Sequence, residues 1–123
     1  MDLNEITGKI IECAIKVHKV LGPGLLEGTY EVCLVHELKK AKLRVESQVF
    51  LPVVYDGIEL DAGYRLDILV EDKIIVELKT VENILPIHKA QTLTYLKLAN
   101  KRIGLIINFN VALLKSGIKR IAN

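Results

Sequence analysis

Sulfur ligands are scarce in this chain. Its two cysteines, Cys13 and Cys33, lie in helical-looking segments without CxxC spacing, which argues against a zinc ribbon, an iron–sulfur cluster or a disulfide scaffold and fits a reducing, cytoplasmic setting. Glycine and proline are few, 8 and 3 residues, so collagen-like, low-complexity and disordered readings fail together. The aromatics are two Phe and four Tyr, with no Trp, so base stacking along a single strand is not advertised. Neither sign of charge dominates: 17 Lys and Arg stand against 15 Asp and Glu, a net +2, which permits a polyanionic partner without demanding one. No apolar run approaches the roughly 20 residues of a membrane span. Met1-Asp2-Leu3-Asn4-Glu5 lacks the basic and apolar stretches of a secretion signal. The expectation is a protein of the aqueous interior with no membrane segment.

What remains is 123 residues, half of them hydrophobic, which suits one domain over residues 1–123 that buries about two-thirds of its unfolded surface. Leu3, Ile6, Ile10, Ala14, Val17 and Leu21 recur at helical spacing up to the break Gly22-Pro23-Gly24, predicting a helix over 4–21. Leu26, Tyr30, Leu34, Leu38 and Ala41 predict a second over 25–42, ending in Lys39, Lys40 and Lys42, where cations suit a helix C-terminus. The period then shortens. Val45 to Tyr55 is rich in β-formers, Asp56-Gly57 is a hairpin signal, and an extended run resumes at Ile58, so 45–79 reads as a three-stranded antiparallel meander. Pro86 opens a helix over 86–99, and residues 103–109 form an apolar strand, with a last short strand near 118–121. The order ααβββαβ(β) predicts an α/β fold, a mixed sheet flanked by helices.

The chemistry concentrates between Tyr64 and Lys79. Read with the two-residue period of a strand, Leu66, Ile68 and Val70 form one apolar set and Ile74, Val76 and Leu78 another. Burying both sets on one face fixes the pairing parity. A loop Glu71-Asp72-Lys73 pairs Val70 with Ile74 and Ile68 with Val76, and sets Asp67 across from Glu77 with Lys79 on the same face. Two adjacent acids in a half-buried sheet repel unless a proton or a cation sits between them. Hard carboxylate oxygens suit Mg²⁺ or Mn²⁺, whereas zinc would call for His or Cys. A lysine beside them can orient an attacking water and offset charge that develops on a phosphate. Charged residues also fill solvent-facing strand positions for no chemical reason, and a Glu and a Lys two apart can be only a solvated pair.

The Asp67…Glu77-Leu78-Lys79 hairpin resembles the core motif of the PD-(D/E)XK nuclease superfamily, with Leu66 where the motif's Pro would stand. Gly24-Leu25-Leu26-Glu27-Gly28-Thr29-Tyr30 is similar to the signature of its small GxxExxY branch, and Gln91-Thr92-Leu93-Thr94-Tyr95 to the QxxxY motif of the lambda-exonuclease type. The resemblance implies a restriction-endonuclease-like core that binds one or two divalent ions and hydrolyses phosphodiester bonds in DNA. It further implies that Asp67, Glu77 and the backbone carbonyl of Leu78 are metal ligands, Glu27 a helix-borne ligand or metal-water contact, and Lys79 the catalytic lysine. For Gln91 and Tyr95 it implies contacts to phosphate or to the site's waters.

Geometry adds further candidates. His88, Gln91 and Tyr95 lie at i, i+3 and i+7, on one side of their helix, while Ile87, Ala90 and Leu93 remain for packing. Tyr30, three residues after Glu27, is placed to orient that carboxylate, and Arg65, two before Asp67, to touch phosphate. Glu27 also fits a plain role at a helix N-terminus. Lys39, Lys40, Lys42, Lys97, Lys101, Arg102, Lys115, Lys119 and Arg120 would form a phosphate-binding rim if the fold gathers them. The expectation is a Mg²⁺- or Mn²⁺-dependent deoxyribonuclease. The alternative is a catalytically silent nuclease-fold module that binds nucleic acid or a protein partner. A chain this short is compatible with a homodimer or a partner protein for holding a long duplex.

Overall fold

The computed structural model describes all 123 residues. Helix α1 (Leu3–Leu21) starts at Asp2, whose carboxylate accepts the Glu5 N–H at 2.8 Å, and stops at Gly22, whose φ of 70° breaks the helix. A short link leads to α2 (Glu27–Lys40), which packs beside α1. Five strands form the main sheet in the order β1 (Val45–Phe50), β4 (Arg65–Val70), β5 (Ile74–Lys79), β6 (Ile103–Asn108) and β7 (Ile118–Ala122). The β5–β6 pair is parallel and is joined by α3 (Pro86–Ala99); the other pairs are antiparallel. Two short strands, β2 (Val53–Tyr55) and β3 (Ile58–Leu60), pair only with each other.

The sheet is covered on both faces. Ile6, Ile10, Ala14 and Val17 of α1 and Tyr30, Leu34 and Leu38 of α2 pack on Ile68, Val70, Ile74, Val76, Leu78, Leu105 and Ile107. On the opposite face Tyr95 and Leu96 of α3 meet Leu51, Leu66, Leu69 and Ile75. Helix α3 lies close over β6 at Gly104, where a Cβ would come within 3.1 Å of the Thr92 methyl. Each fully buried Ile, Leu or Val contributes about 1.5–3 kcal/mol. A one-residue slip of β5 would turn its apolar sets over, so its register is firmly held.

The α/β class, the helix–strand order and the mixed sheet follow the sequence expectation, with three corrections. The stretch 45–79 contains five strands: β1, β4 and β5 form the expected meander, while the Asp56-Gly57 hairpin leaves the sheet as a separate two-stranded arm. Leu66 does not share a face with Ile68 and Val70; it packs under α3. The cause lies in β1, where Gln48 takes φ 53° and the β1–β4 register skips the Gln48 and Asp67 positions between Ser47↔Ile68 and Val49↔Leu66. Helix α3 buries Thr92, Tyr95 and Leu96, whereas Ile87 is 68% exposed and Ala90 is exposed.

Candidate active site

The β4–β5 register is the expected one, Val70↔Ile74 and Ile68↔Val76, and it ends there. At the next position the backbone ladder gives way to side chains. The Leu78 N–H donates to Asp67 Oδ2 at 2.9 Å, and the Asp67 N–H donates to Glu77 Oε1 at 3.4 Å. The two carboxyl groups therefore bridge an opening between adjacent strands. A residue's N–H and C=O leave the same side of a strand, so the Leu78 carbonyl also faces this opening, while the Lys79 carbonyl turns to the other neighbour and accepts the Phe109 N–H at 3.0 Å.

Glu77 is the one acidic residue of the buried set, at 6% exposure. Burial first, and then the Asp67 carboxylate beside it, pushes its carboxyl from the ordinary 4.5 up to about 9. At neutral pH the metal-free site thus holds a proton on Glu77, in a hydrogen bond with Asp67. Lys79 lies near enough to lower both the Glu77 and Glu27 carboxyls but forms no salt bridge. No buried side-chain polar atom lacks a partner.

Helix α2 brings two acids toward Asp67. The Glu27 carboxyl is raised by partial burial, then by Asp67 and, less, by Glu31. Glu31, one helical turn further on, is raised by burial and accepts both hydrogens' worth of contact from the Gln48 amide, at 2.9 and 3.1 Å. The sequence reading missed Glu31 and Gln48. The i, i+4 spacing from Glu27 marks Glu31, but nothing in the sequence signals the positive φ that turns Gln48 opposite Asp67.

Tyr30 is corrected from a substrate contact to an internal clasp. It is fully buried, its ring stacked on Phe109 at 4.4 Å, and its hydroxyl donates to the Gly22 carbonyl at 2.5 Å while accepting the Leu25 N–H at 3.2 Å. It thereby fixes the link that leads into Glu27. On the other face of the sheet, the Tyr95 phenol is raised by burial and then by Glu77, Tyr64 and Asp67, while Gln91, one turn earlier on α3, is exposed. His88 uses Nδ1 to accept the Leu85 N–H at 2.9 Å, which caps α3. Arg65 is exposed, with its guanidinium 4.9 Å above the Phe50 ring and 3.7 Å from Asp61. The Asn108 amide clasps the loop after β5, accepting the Val81 N–H at 3.1 Å and donating to the Val81 carbonyl at 2.8 Å.

Five of the nine basic residues considered for a rim lie away from the acids. Strands β5 and β6 run side by side toward the acids, so Lys101 and Arg102, which precede β6, sit at the far end of the sheet, where Lys101 pairs with Asp72 at 3.2 Å. Lys39, Lys40 and Lys42 follow α2 to that same end, and Lys40 is committed to Glu37. No three Asp, Glu, His or Cys side chains converge into a metal cage. The donor set nonetheless suits a hydrated Mg²⁺ or Mn²⁺, which is usually held by one or two carboxylates and otherwise by water and substrate phosphate; it does not suit zinc.

No helix is long and apolar enough to cross a membrane. No curated protein and no solved structure matches the chain. Residues 4–121 match the PD-(D/E)XK nuclease superfamily, and the hairpin with paired acids at the open end of a mixed sheet is the feature that match would require. The chain belongs to the PD-(D/E)XK nuclease superfamily.

Proposed function

We propose that this protein is a metal-dependent nuclease that hydrolyses phosphodiester bonds in DNA, folded as one domain over residues 1–123 and placed by Gly24, Glu27 and Tyr30 in the GxxExxY branch of its superfamily. The observation that carries the reading is the pair of half-buried Asp67 and buried Glu77, two mutually repelling acids that face an opening in the sheet. Asp67, Glu77 and the Leu78 carbonyl would hold Mg²⁺ or Mn²⁺, with Glu27 reaching its water shell. When bound, such an ion supplies Lewis acidity at the phosphoryl oxygen and lowers the pKa of a coordinated water.

The chain's own groups do the rest. Glu77, which holds a proton in the free site, would hold a cation as its carboxylate. Lys79 orients the attacking water and offsets the negative charge that builds on the phosphate as the water oxygen bonds to phosphorus and the ester P–O bond breaks. Tyr95 and Gln91, one turn apart on α3, donate hydrogen bonds to a phosphate oxygen or to the site's waters. Arg65 and the free Nε2 edge of His88 offer peripheral phosphate contacts.

The test is incubation of the purified chain with linear, circular and single-stranded DNA in Mg²⁺ or Mn²⁺, beside Lys79→Ala and Asp67→Ala. Cleavage by the wild type that both variants and EDTA abolish supports the proposal. Equal cleavage by the variants refutes it, and tight binding without cleavage points to the silent nucleic-acid-binding module.

A further inference from the structure

Of the six aromatic residues, Tyr30 and Phe109 are stacked on each other in the core. The other four, Phe50, Tyr55, Tyr64 and Tyr95, lie outside that stack. Tyr55 is on the arm at 72% exposure, Phe50 ends β1 at 46%, Tyr64 immediately precedes β4 at 43%, and Tyr95 of α3 is buried at 8%. Tyr64 meets Tyr95 edge-on, with centroids 5.9 Å apart at 61°, and the Arg65 guanidinium carbon lies 4.9 Å from the centre of the Phe50 ring. The Tyr64 carbonyl accepts the Leu51 N–H at 3.1 Å, so the β1–β4 pairing continues through Tyr64 and holds it in place.

We infer that these two pairs form a stacking site for unpaired nucleobases, so that the substrate enters the nuclease centre as a single strand; this rests on the nuclease reading of the site. Tyr64 and Arg65 are consecutive, and consecutive strand residues point to opposite faces. The Tyr64–Tyr95 and Arg65–Phe50 pairs therefore flank β4 just ahead of Asp67. An intact duplex keeps its bases stacked on one another and cannot offer successive bases to two faces of one strand, whereas a single strand can splay them.

The test measures binding to the full chain in EDTA, where no cleavage occurs, using 12-nucleotide DNA and RNA strands that carry 2-aminopurine and the same sequences as blunt duplexes. Single strands are expected to bind at least tenfold tighter than duplexes and to quench the 2-aminopurine. Tyr64→Ala and Phe50→Ala each weaken single-strand binding by roughly 5- to 100-fold, the loss of one base–aromatic stack. Both variants leave duplex binding unchanged, and Tyr64→Phe binds like the wild type. Equal DNA and RNA affinity assigns recognition to the bases alone, and a DNA preference assigns part of it to the sugar; both outcomes keep the stacking site. Duplexes bound as tightly as single strands, or single-strand binding indifferent to Tyr64→Ala in a variant with wild-type circular dichroism, would overturn it. Stacking without cleavage in Mg²⁺ or Mn²⁺ would refute the nuclease reading alone, and cleavage without stacking would refute this inference alone.

Discussion

Raising the pH of metal-free protein is expected to destabilise it through Glu77. In the unfolded chain this carboxyl ionises near 4.5, and in the fold near 9. Between those values the native state holds one more proton than the unfolded state, so stability is complete below pH 4.5 and is lost as pH rises toward 9. Each pH unit in that window costs about 1.4 kcal/mol. At pH 8 the accumulated loss is about 5 kcal/mol, a large share of the roughly 5–15 kcal/mol that holds a domain together. Glu77→Gln keeps the shape of the side chain and removes the titration. Urea unfolding in EDTA from pH 5 to 8.5, followed by far-ultraviolet circular dichroism, should give a falling stability for the wild type and a flatter one for the variant, with the variant the more stable at pH 8. Saturating Mg²⁺ should reverse that order, because the ion takes the place of the proton in the wild type and finds a weaker donor in the amide. Parallel pH curves for the two proteins in EDTA would show that the Glu77 carboxyl is solvated and would refute the account of the opening between β4 and β5.

Three further outcomes follow from the packing and the site. Lys79→Met should abolish cleavage while Mn²⁺ affinity, read by calorimetry, stays within about threefold, since Lys79 stands beside the carboxylates without being a ligand; a parallel loss of Mn²⁺ binding would place it in the ion's own shell. Tyr30→Phe keeps the stack on Phe109 but strands the Gly22 carbonyl and the Leu25 N–H, so denaturant unfolding should show a loss of about 1–3 kcal/mol, with a fall in turnover as Glu27 loosens. Gly104→Ala places a methyl within 3.1 Å of the Thr92 Cγ2 and should cost about 1–3 kcal/mol by pushing α3 off β6; an unchanged melting temperature would show that α3 adjusts freely.

The parts of the fold that could be read in the sequence are those set by local chemistry. The spacing of Ile6, Ile10, Ala14 and Val17, the break at Gly22-Pro23-Gly24 and Pro86 as the first residue of α3 each follow from side-chain period or backbone restriction. The Val70↔Ile74 and Ile68↔Val76 register followed from keeping apolar residues under the helices. Leu66 escaped because its face depends on Gln48, a residue of a different strand whose positive φ has no glycine to announce it. Tyr30 looked like a surface partner of Glu27 because helical spacing gives neighbours and not depth. The arm was read as part of the meander because Val53–Tyr55 and Ile58–Leu60 have the composition of ordinary sheet strands; the turn Asp61-Ala62-Gly63, with Gly63 at φ 83°, is what carries them away. Lys39, Lys40, Lys42, Lys101 and Arg102 stand apart from the acids for a topological reason, since α2 ends and β6 begins at the opposite end of the strands.

Asp67, Glu77 and Lys79 belong to one hairpin, joined by the tight Glu71-Asp72-Lys73 loop. Their mutual spacing is set within a single contiguous stretch of chain, so it does not depend on how distant segments come together. Lengthening the protein at the Asp56-Gly57 tip or after Ala122 would leave that spacing intact. Reactive geometry of this kind is portable: the same short ribbon can keep its chemistry while everything around it changes to suit a new substrate or host protein.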